Sequence, residues 1–87
     1  MVNNYDFVIK RLGLDFDKVF AEVRRNLFNE VYSDQQVGLR QGLINGGIKR
    51  LDGKKVKLSE LNKLLSIIRG NSQTTVESWL IINGYLK

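Results

Sequence analysis

The stretch VKLSELNKLLSIIRGNSQTTVESWL, residues 56–80, decides the fold of this chain. Its first half carries leucine and isoleucine at spacings of three and four, which is the period of one buried helix face. These residues are Leu61, Leu64, Leu65 and Ile68. We expect Ser59 to cap this helix, because a serine oxygen accepts a free backbone N–H at a helix start, and we expect Gly70 to end it.

A second helix is predicted after a turn at residues 70–71. Ser72 is its expected cap, and Gly84 is expected to stop it. The residues on its inner side are Val76, Trp79, Leu80 and Asn83. This spacing predicts that Trp79 lies in the core. An exposed indole beside lysines, suited to stacking on single-stranded nucleic acid, is the alternative.

The residues before these two helices predict a basic β-hairpin. Two short β-compatible runs, residues 48–51 and 54–58, flank Asp52-Gly53, a pair typical of hairpin turns because both turn positions need positive φ. The tail, residues 85–87, is also β-capable and is expected to pair with residues 56–58. Five cations stand in the hairpin, namely Lys49, Arg50, Lys54, Lys55 and Lys57. A projecting basic hairpin suits phosphate contact, and a lysine-guarded sheet edge is the alternative.

Two helices are predicted near the N-terminus. The first is expected to be capped by Asn4 and to end at Gly13. Its apolar stripe is Tyr5, Val8, Ile9 and Leu12. The second is expected to be capped by Asp15 and has a strong amphipathic pattern. The apolar residues of that pattern are Phe16, Val19, Phe20, Val23, Leu27 and Val31.

A third helix is predicted from Asp34 to about Asn45, after a capping box formed by Ser33 and Gln36 and before the glycine pair at residues 46–47. Three glycines at spacings of four share one of its faces, namely Gly38, Gly42 and Gly46. Each costs the helix about 1 kcal/mol relative to alanine, so close packing against that face should compensate. We expect an intramolecular contact there, with a homodimer contact or a loop as alternatives.

Length and composition bound the class of protein. Eighty-seven residues suffice for a single domain, and the absence of cysteine and histidine excludes disulfides, thiolate metal sites and the commonest general base. Residues 1–38 carry a net charge of −1 and residues 39–87 a net charge of +6, so an anionic partner is expected on the C-terminal half. No signal peptide or membrane span is recognisable, and we expect a cytoplasmic protein.

The two C-terminal helices carry a family resemblance. The run of residues 56–65, followed by Ser-x-x-Thr-Val-x-x-Trp-Leu at residues 72–80, resembles the winged-helix and helix-turn-helix regulators. The resemblance covers about residues 56–87. It implies that the second helix enters the major groove of DNA, with Val76, Trp79 and Leu80 in the core. The outward residues that it implies are Gln73, Thr74, Glu77, Ser78 and Ile81.

The sequence therefore predicts a mainly α domain with a small β-hairpin, a winged-helix-like helix-turn-helix preceded by N-terminal helices. Residues 1–47 would hold the N-terminal helices and a homodimer contact, and residues 48–87 the hairpin and the helix-turn-helix. The expected function is duplex DNA binding, as a transcription regulator or architectural factor, at the nucleoid. The hairpin cations would contact phosphates. Residues near the bases or the backbone would be Ser72, Gln73, Thr74 and Ser78.

A second hypothesis is a non-catalytic protein-interaction module, an accessory subunit of a replication, transcription or segregation complex. The uncharged outer face of the last helix, with Ile81 exposed, favours it because interface centres are depleted of charge. No enzyme activity, metal or cofactor is expected. Asp15 and Asp17 are two residues apart on a helix and so do not face the same way.

Overall fold

The computed structural model describes residues 4–21 and 35–87, and these residues are helical with connecting turns. Helix α1 covers Asn4–Leu12, and the described part of α2 covers residues 16–21. Helices α3, α4 and α5 cover Gln35–Asn45, Leu58–Gly70 and Gln73–Ile82. Within these ranges no helix is long and apolar enough to cross a membrane.

Helices α1, α4 and α5 pack against one another, and α3 packs against α4. The buried side chains come from every described helix and from the C-terminal turn. They are Tyr5, Val8, Ile9, Val19, Leu43, Leu61, Leu64, Leu65, Val76, Leu80 and Tyr85. The hydroxyl of Tyr5 donates a 2.8 Å hydrogen bond to the carbonyl of Leu39, which links α1 to α3. The predicted apolar stripes thus meet in one core.

The predicted β-hairpin is wrong, because the described part of the chain contains no strand. The Asp52-Gly53 pair does form a turn, in which the N–H of Gly53 donates to the carbonyl of Arg50 at 3.1 Å and Gly53 has a φ of 78°. No ladder follows this turn. The N–H of Leu51 donates instead to the carbonyl of Gly84 at 2.8 Å. An isolated two-stranded hairpin is marginally stable, and packing on the helices replaces it here.

The C-terminal tail is not a strand either. The N–H groups of Tyr85 and Leu86 donate to the carbonyl of Leu80 at 2.8 and 3.3 Å. These bonds satisfy a carbonyl in the last turn of α5, as helix C-terminal turns commonly do. The tail therefore folds back on its own helix instead of pairing with residues 56–58.

The predicted helix caps have different outcomes. Asp15 accepts a hydrogen bond from the N–H of Lys18 at 3.2 Å, which confirms it as the cap of α2. Ser59 is not a cap, because α4 begins at Leu58 and the N-cap position is held by Lys57 without a side-chain hydrogen bond. Asn4 lies within α1. The predicted positions Val23, Leu27, Val31, Ser33 and Asp34 lie outside the described residues.

The glycine face of α3 is closely packed within the chain, as the spacing predicts. A Cβ on Gly42 would lie 2.7 Å from the hydroxyl oxygen of Tyr5 and 3.1 Å from the carbonyl oxygen of Val19. A Cβ on Gly46 would overlap Cγ2 of Val19 and lie 3.3 Å from Cβ of Leu14. Residues of α1, α2 and the turn between them therefore cover this face.

Candidate nucleic-acid interface

Helices α4 and α5 pack against each other and are joined by a two-residue connection. Ser72 caps α5, since its hydroxyl accepts a hydrogen bond from the N–H of Thr75 at 3.4 Å. The side-chain amide of Asn4 donates to the carbonyls of Ile68 and Asn71 at 3.1 and 2.6 Å. Helix α1 thus holds the end of α4 and the turn in place, which sets the direction in which α5 leaves.

The outward face of α5 is the face that the helical spacing predicts. Gln73, Thr74 and Ser78 are exposed, whereas Val76 and Leu80 are fully buried. The first two stand in the opening turn of α5, where side chains of such a helix reach base edges in a DNA groove. Their exposure agrees with the prediction, and their contact with bases stays a prediction.

Trp79 is half-buried and packs against the core, so it is neither fully enclosed nor free. Its ring stacks on Tyr85 with 5.8 Å between ring centroids and an interplanar angle of 15°. Trp79 also borders a groove of about 380 Å³ together with residues of α4. The predicted core position is therefore correct for one part of the indole, while another part lines a surface groove.

The negative charge of α5 is paired. Glu77 accepts hydrogen bonds from two nitrogens of Arg11 in α1, at 2.9 and 3.1 Å. The two side chains keep 37% and 45% of their exposure, so the pair adds little stability, but it reduces the field of the carboxylate at the helix surface. Sequence reasoning missed this partner because the two residues are 66 positions apart.

The five cations of the predicted hairpin lie in a loop, residues 48–57. They differ in whether they form an ion pair. Lys49, Lys54, Lys55 and Lys57 are exposed, and none forms an ion pair with a described carboxylate. Arg50 differs, because its guanidinium bonds Glu60 at 2.9 Å and lies 3.4 Å from a carboxylate oxygen of Asp52. Four of the five predicted phosphate contacts therefore remain open to a ligand.

Arg50 anchors the loop to the helices. Its guanidinium carbon lies 5.8 Å from the ring centroid of Tyr85, and the hydroxyl of Tyr85 donates to Glu60 at 2.5 Å. That hydroxyl, and then Arg50, hold the pKa of Glu60 below its ordinary value. Burial, and then the hydrogen bond to Glu60, raise the pKa of Tyr85. This network fixes where the lysines of the loop stand relative to α5.

Eight of the nine predicted contact residues form two groups at opposite ends of α5, and the ninth, Ser78, lies midway along the helix. The loop is tied to the C-terminal end of α5 by the bond between Leu51 and Gly84, and Ser72, Gln73 and Thr74 stand at the N-terminal end. Helix α5 has ten residues and is thus about 15 Å long. Any ligand that touches both groups must extend along most of this helix.

Sequence reasoning also missed a polar surface on α3 and α4. Arg40 of α3 donates a 2.7 Å hydrogen bond to the side-chain oxygen of Asn62 in α4. Asn62 lines the same groove as Trp79, and the other residues of its lining are Lys63, Ser66 and Ile67. The exposure of Lys63 and Ser66 follows from helical spacing alone. The approach of Arg40 depends on the docking of α3 and has no local signal.

The described residues contain no group of three or more carboxylates that could hold a metal ion. The arrangement offers cations, hydroxyls and amides on an exposed surface, which are groups that bind anions and base edges. Comparison with known proteins found no matching protein-family model, no matching curated protein and no matching solved structure.

Proposed function

We propose that this chain is a small duplex-DNA-binding protein, acting as a transcription regulator or architectural factor. In this proposal α5 lies in the major groove and the loop of residues 48–57 contacts the phosphate backbone. The proposal includes a cytoplasmic location, at the nucleoid. A homodimer would present two such helices to two half-sites.

The observation that carries the proposal is the charge pairing on the C-terminal half. All three carboxylates of residues 39–87 are engaged by arginines, with Asp52 and Glu60 on Arg50 and Glu77 on Arg11. The remaining cations form no ion pair with a described carboxylate. They are Arg40, Lys49, Lys54, Lys55, Lys57, Lys63, Arg69 and Lys87. Such a surface attracts a polyanion, because its positive charges are not balanced locally.

The dimensions of α5 support a duplex as the polyanion. The major groove of B-DNA is about 12 Å wide, and an α-helix with its side chains is about 10–12 Å in diameter. In this proposal Gln73 and Thr74 face base edges, and the loop, which is tied to the other end of α5, faces a flanking strand. Gln73 has the two groups needed for a bidentate contact with adenine.

The test is fluorescence anisotropy of a labelled random-sequence duplex titrated with the protein at 50 and 200 mM salt. If the four lysines of the loop each neutralise one phosphate, this increase in salt should weaken binding roughly a hundredfold. Binding that is absent at 50 mM salt, or that does not change with salt, would refute the proposal.

A protein-interaction module is the second candidate, favoured by exposed apolar side chains at the C-terminal end of α5. Ile82 is 81% exposed, Leu51 55% and Ile81 45%. Large exposed apolar side chains that lie close together are typical of surfaces that bind a protein. A stoichiometric partner that co-purifies with the wild type and is lost from an Ile82→Asp variant would support this candidate, provided that the duplex titration is negative.

A further inference from the structure

The surface on α3 and α4 suggests a second anion site beside the basic loop. We propose that Arg40, Lys63 and Ser66 bind a phosphodiester of the DNA strand next to α5. This inference rests on the proposed function. Helix α4 would then cross the DNA backbone while α5 lies in the groove. The site lies outside the nine residues that sequence reasoning selected.

The partner of Arg40 distinguishes it from the paired arginines. Arg11 and Arg50 bond carboxylates, which neutralise them. Arg40 bonds the amide oxygen of Asn62, which orients the guanidinium and leaves its full charge in place. A guanidinium has five N–H donors in a fixed planar fork, so one bond to Asn62 leaves donors for a phosphate. An arginine held by a neutral group is thus preorganised for an anion.

The rest of the site comes from one face of α4. Asn62 and Ser66 are four residues apart, as are Lys63 and Ile67, so these side chains are neighbours on the helix surface. They line the groove of about 380 Å³ that Trp79 closes on the α5 side. Lys63 supplies an ammonium group that pairs with no described carboxylate, and Ser66 supplies an exposed hydroxyl. Ile67 and Trp79 supply apolar surface. The two cations and the hydroxyl match the oxygens of a phosphate, and the apolar surface of the groove matches the attached deoxyribose.

Charge complementarity favours a nucleic-acid strand as the occupant of this groove. Arg40 and Lys63 form no ion pair with any described carboxylate, and the groove has no acidic residue in its lining. Its position beside α5 also makes it continuous with the surface of the proposed function. An acidic protein segment would require the same charges, and the experiment separates the two occupants by using a duplex alone.

The experiment measures duplex binding as a function of salt for the wild type, Lys63→Gln and Asn62→Asp. Lys63→Gln removes one phosphate contact, so the slope of log K against log salt should fall in magnitude by about 0.9, and binding at 0.1 M salt should weaken roughly eightfold. Asn62→Asp keeps the side-chain shape and converts the partner of Arg40 into a carboxylate. We expect a similar loss of binding and an unchanged or higher midpoint of thermal unfolding.

The control is Lys18→Gln, which removes an exposed cation from α2, outside the proposed surface. It should bind within about twofold of the wild type. If the wild type binds the duplex and both Lys63→Gln and Asn62→Asp behave like Lys18→Gln, the phosphate site is refuted and the proposed function stands. If the wild type does not bind at all, the proposed function itself fails. Equal losses in all three variants would indicate nonspecific charge attraction and would also overturn the site.

Discussion

The substitution Gly42→Ala tests the packing that joins α3 to α1 and α2. In a helix interior the change from glycine to alanine stabilises by about 1 kcal/mol. Here the new Cβ would lie 2.7 Å from the hydroxyl oxygen of Tyr5 and 3.1 Å from the carbonyl oxygen of Val19. The first contact displaces the hydroxyl that donates to Leu39, and the second pushes on backbone, which cannot yield by a rotamer change.

The sign of the net effect follows from these magnitudes. Overpacking costs about 1–3 kcal/mol, and loss of a hydrogen bond costs about 1 kcal/mol. Together they exceed the propensity gain, so Gly42→Ala should lower the free energy of unfolding by about 1–3 kcal/mol. For a domain of this size that corresponds to a fall in melting temperature of about 4 °C or more.

Gly70→Ala is the matched control. Gly70 is also a helical glycine, but a Cβ there would meet no atom within 4 Å. The same substitution should therefore leave stability unchanged or raise it by up to about 1 kcal/mol. Urea unfolding followed by circular dichroism at 222 nm measures both variants. Equal effects of the two substitutions would refute the reasoning.

The double variant Tyr5→Phe with Gly42→Ala isolates the cause. Removal of the hydroxyl relieves the shortest contact, while the contact with the carbonyl of Val19 remains. The combined loss should be smaller than the sum of the single losses by about 1 kcal/mol, since residues in contact are not additive. Additive losses would show that the hydroxyl of Tyr5 is not what the new methyl group meets.

Three further outcomes are expected. Because the pKa of Glu60 is held below its ordinary value of 4.5, its ionised form stabilises the fold above that pH, and this stability is lost as pH falls through the lower folded pKa. Urea unfolding from pH 6 to pH 3 should show that loss in the wild type, and Glu60→Gln should show less of it. Glu77→Gln removes a negative charge from α5 and frees Arg11, so duplex binding should tighten and its salt slope should steepen. The loss of folding stability should stay below about 1 kcal/mol. A duplex affinity unchanged from the wild type in the anisotropy titration would contradict this. Lys55→Gln should weaken binding to all duplexes alike, whereas Gln73→Ala should mainly reduce the difference between preferred and random sequences; the reverse pattern in competition titrations would exchange their roles.

Much of the helical framework could be predicted from the sequence. Helices α4 and α5, the cap at Ser72 and the cap at Asp15 depend on residues within one or two turns of each other, and such short-range spacing is readable. The exposure of Gln73 and Thr74 also follows from helical period. The sequence predicted a close contact at the glycine face that includes Gly42, because the absence of a side chain permits close approach. It did not predict which residues make that contact.

The hairpin prediction was wrong because a local turn signal does not determine what the flanking residues pair with. Asp52-Gly53 does make the turn, yet the backbone of Leu51 bonds Gly84, which is 33 positions away, instead of a neighbouring strand. Three of the four residues from 54 to 57 are lysines and only Val56 is partly buried, so a strand there would have little apolar surface to bury. The loop instead packs against the C-terminal turn, where the N–H of Leu51 donates to the carbonyl of Gly84.

Helix positions, the core stripes and the excess of positive charge were determined by the sequence alone, because they follow from residue types and short-range periodicity. Which cations remain free for a ligand was decided only by the tertiary structure. Arg50 is paired with Glu60, Glu77 with Arg11, and Arg40 with the neutral amide of Asn62. These pairings join residues 10 to 66 positions apart. No spacing rule reaches across such distances, since the docking of whole helices sets which charges meet.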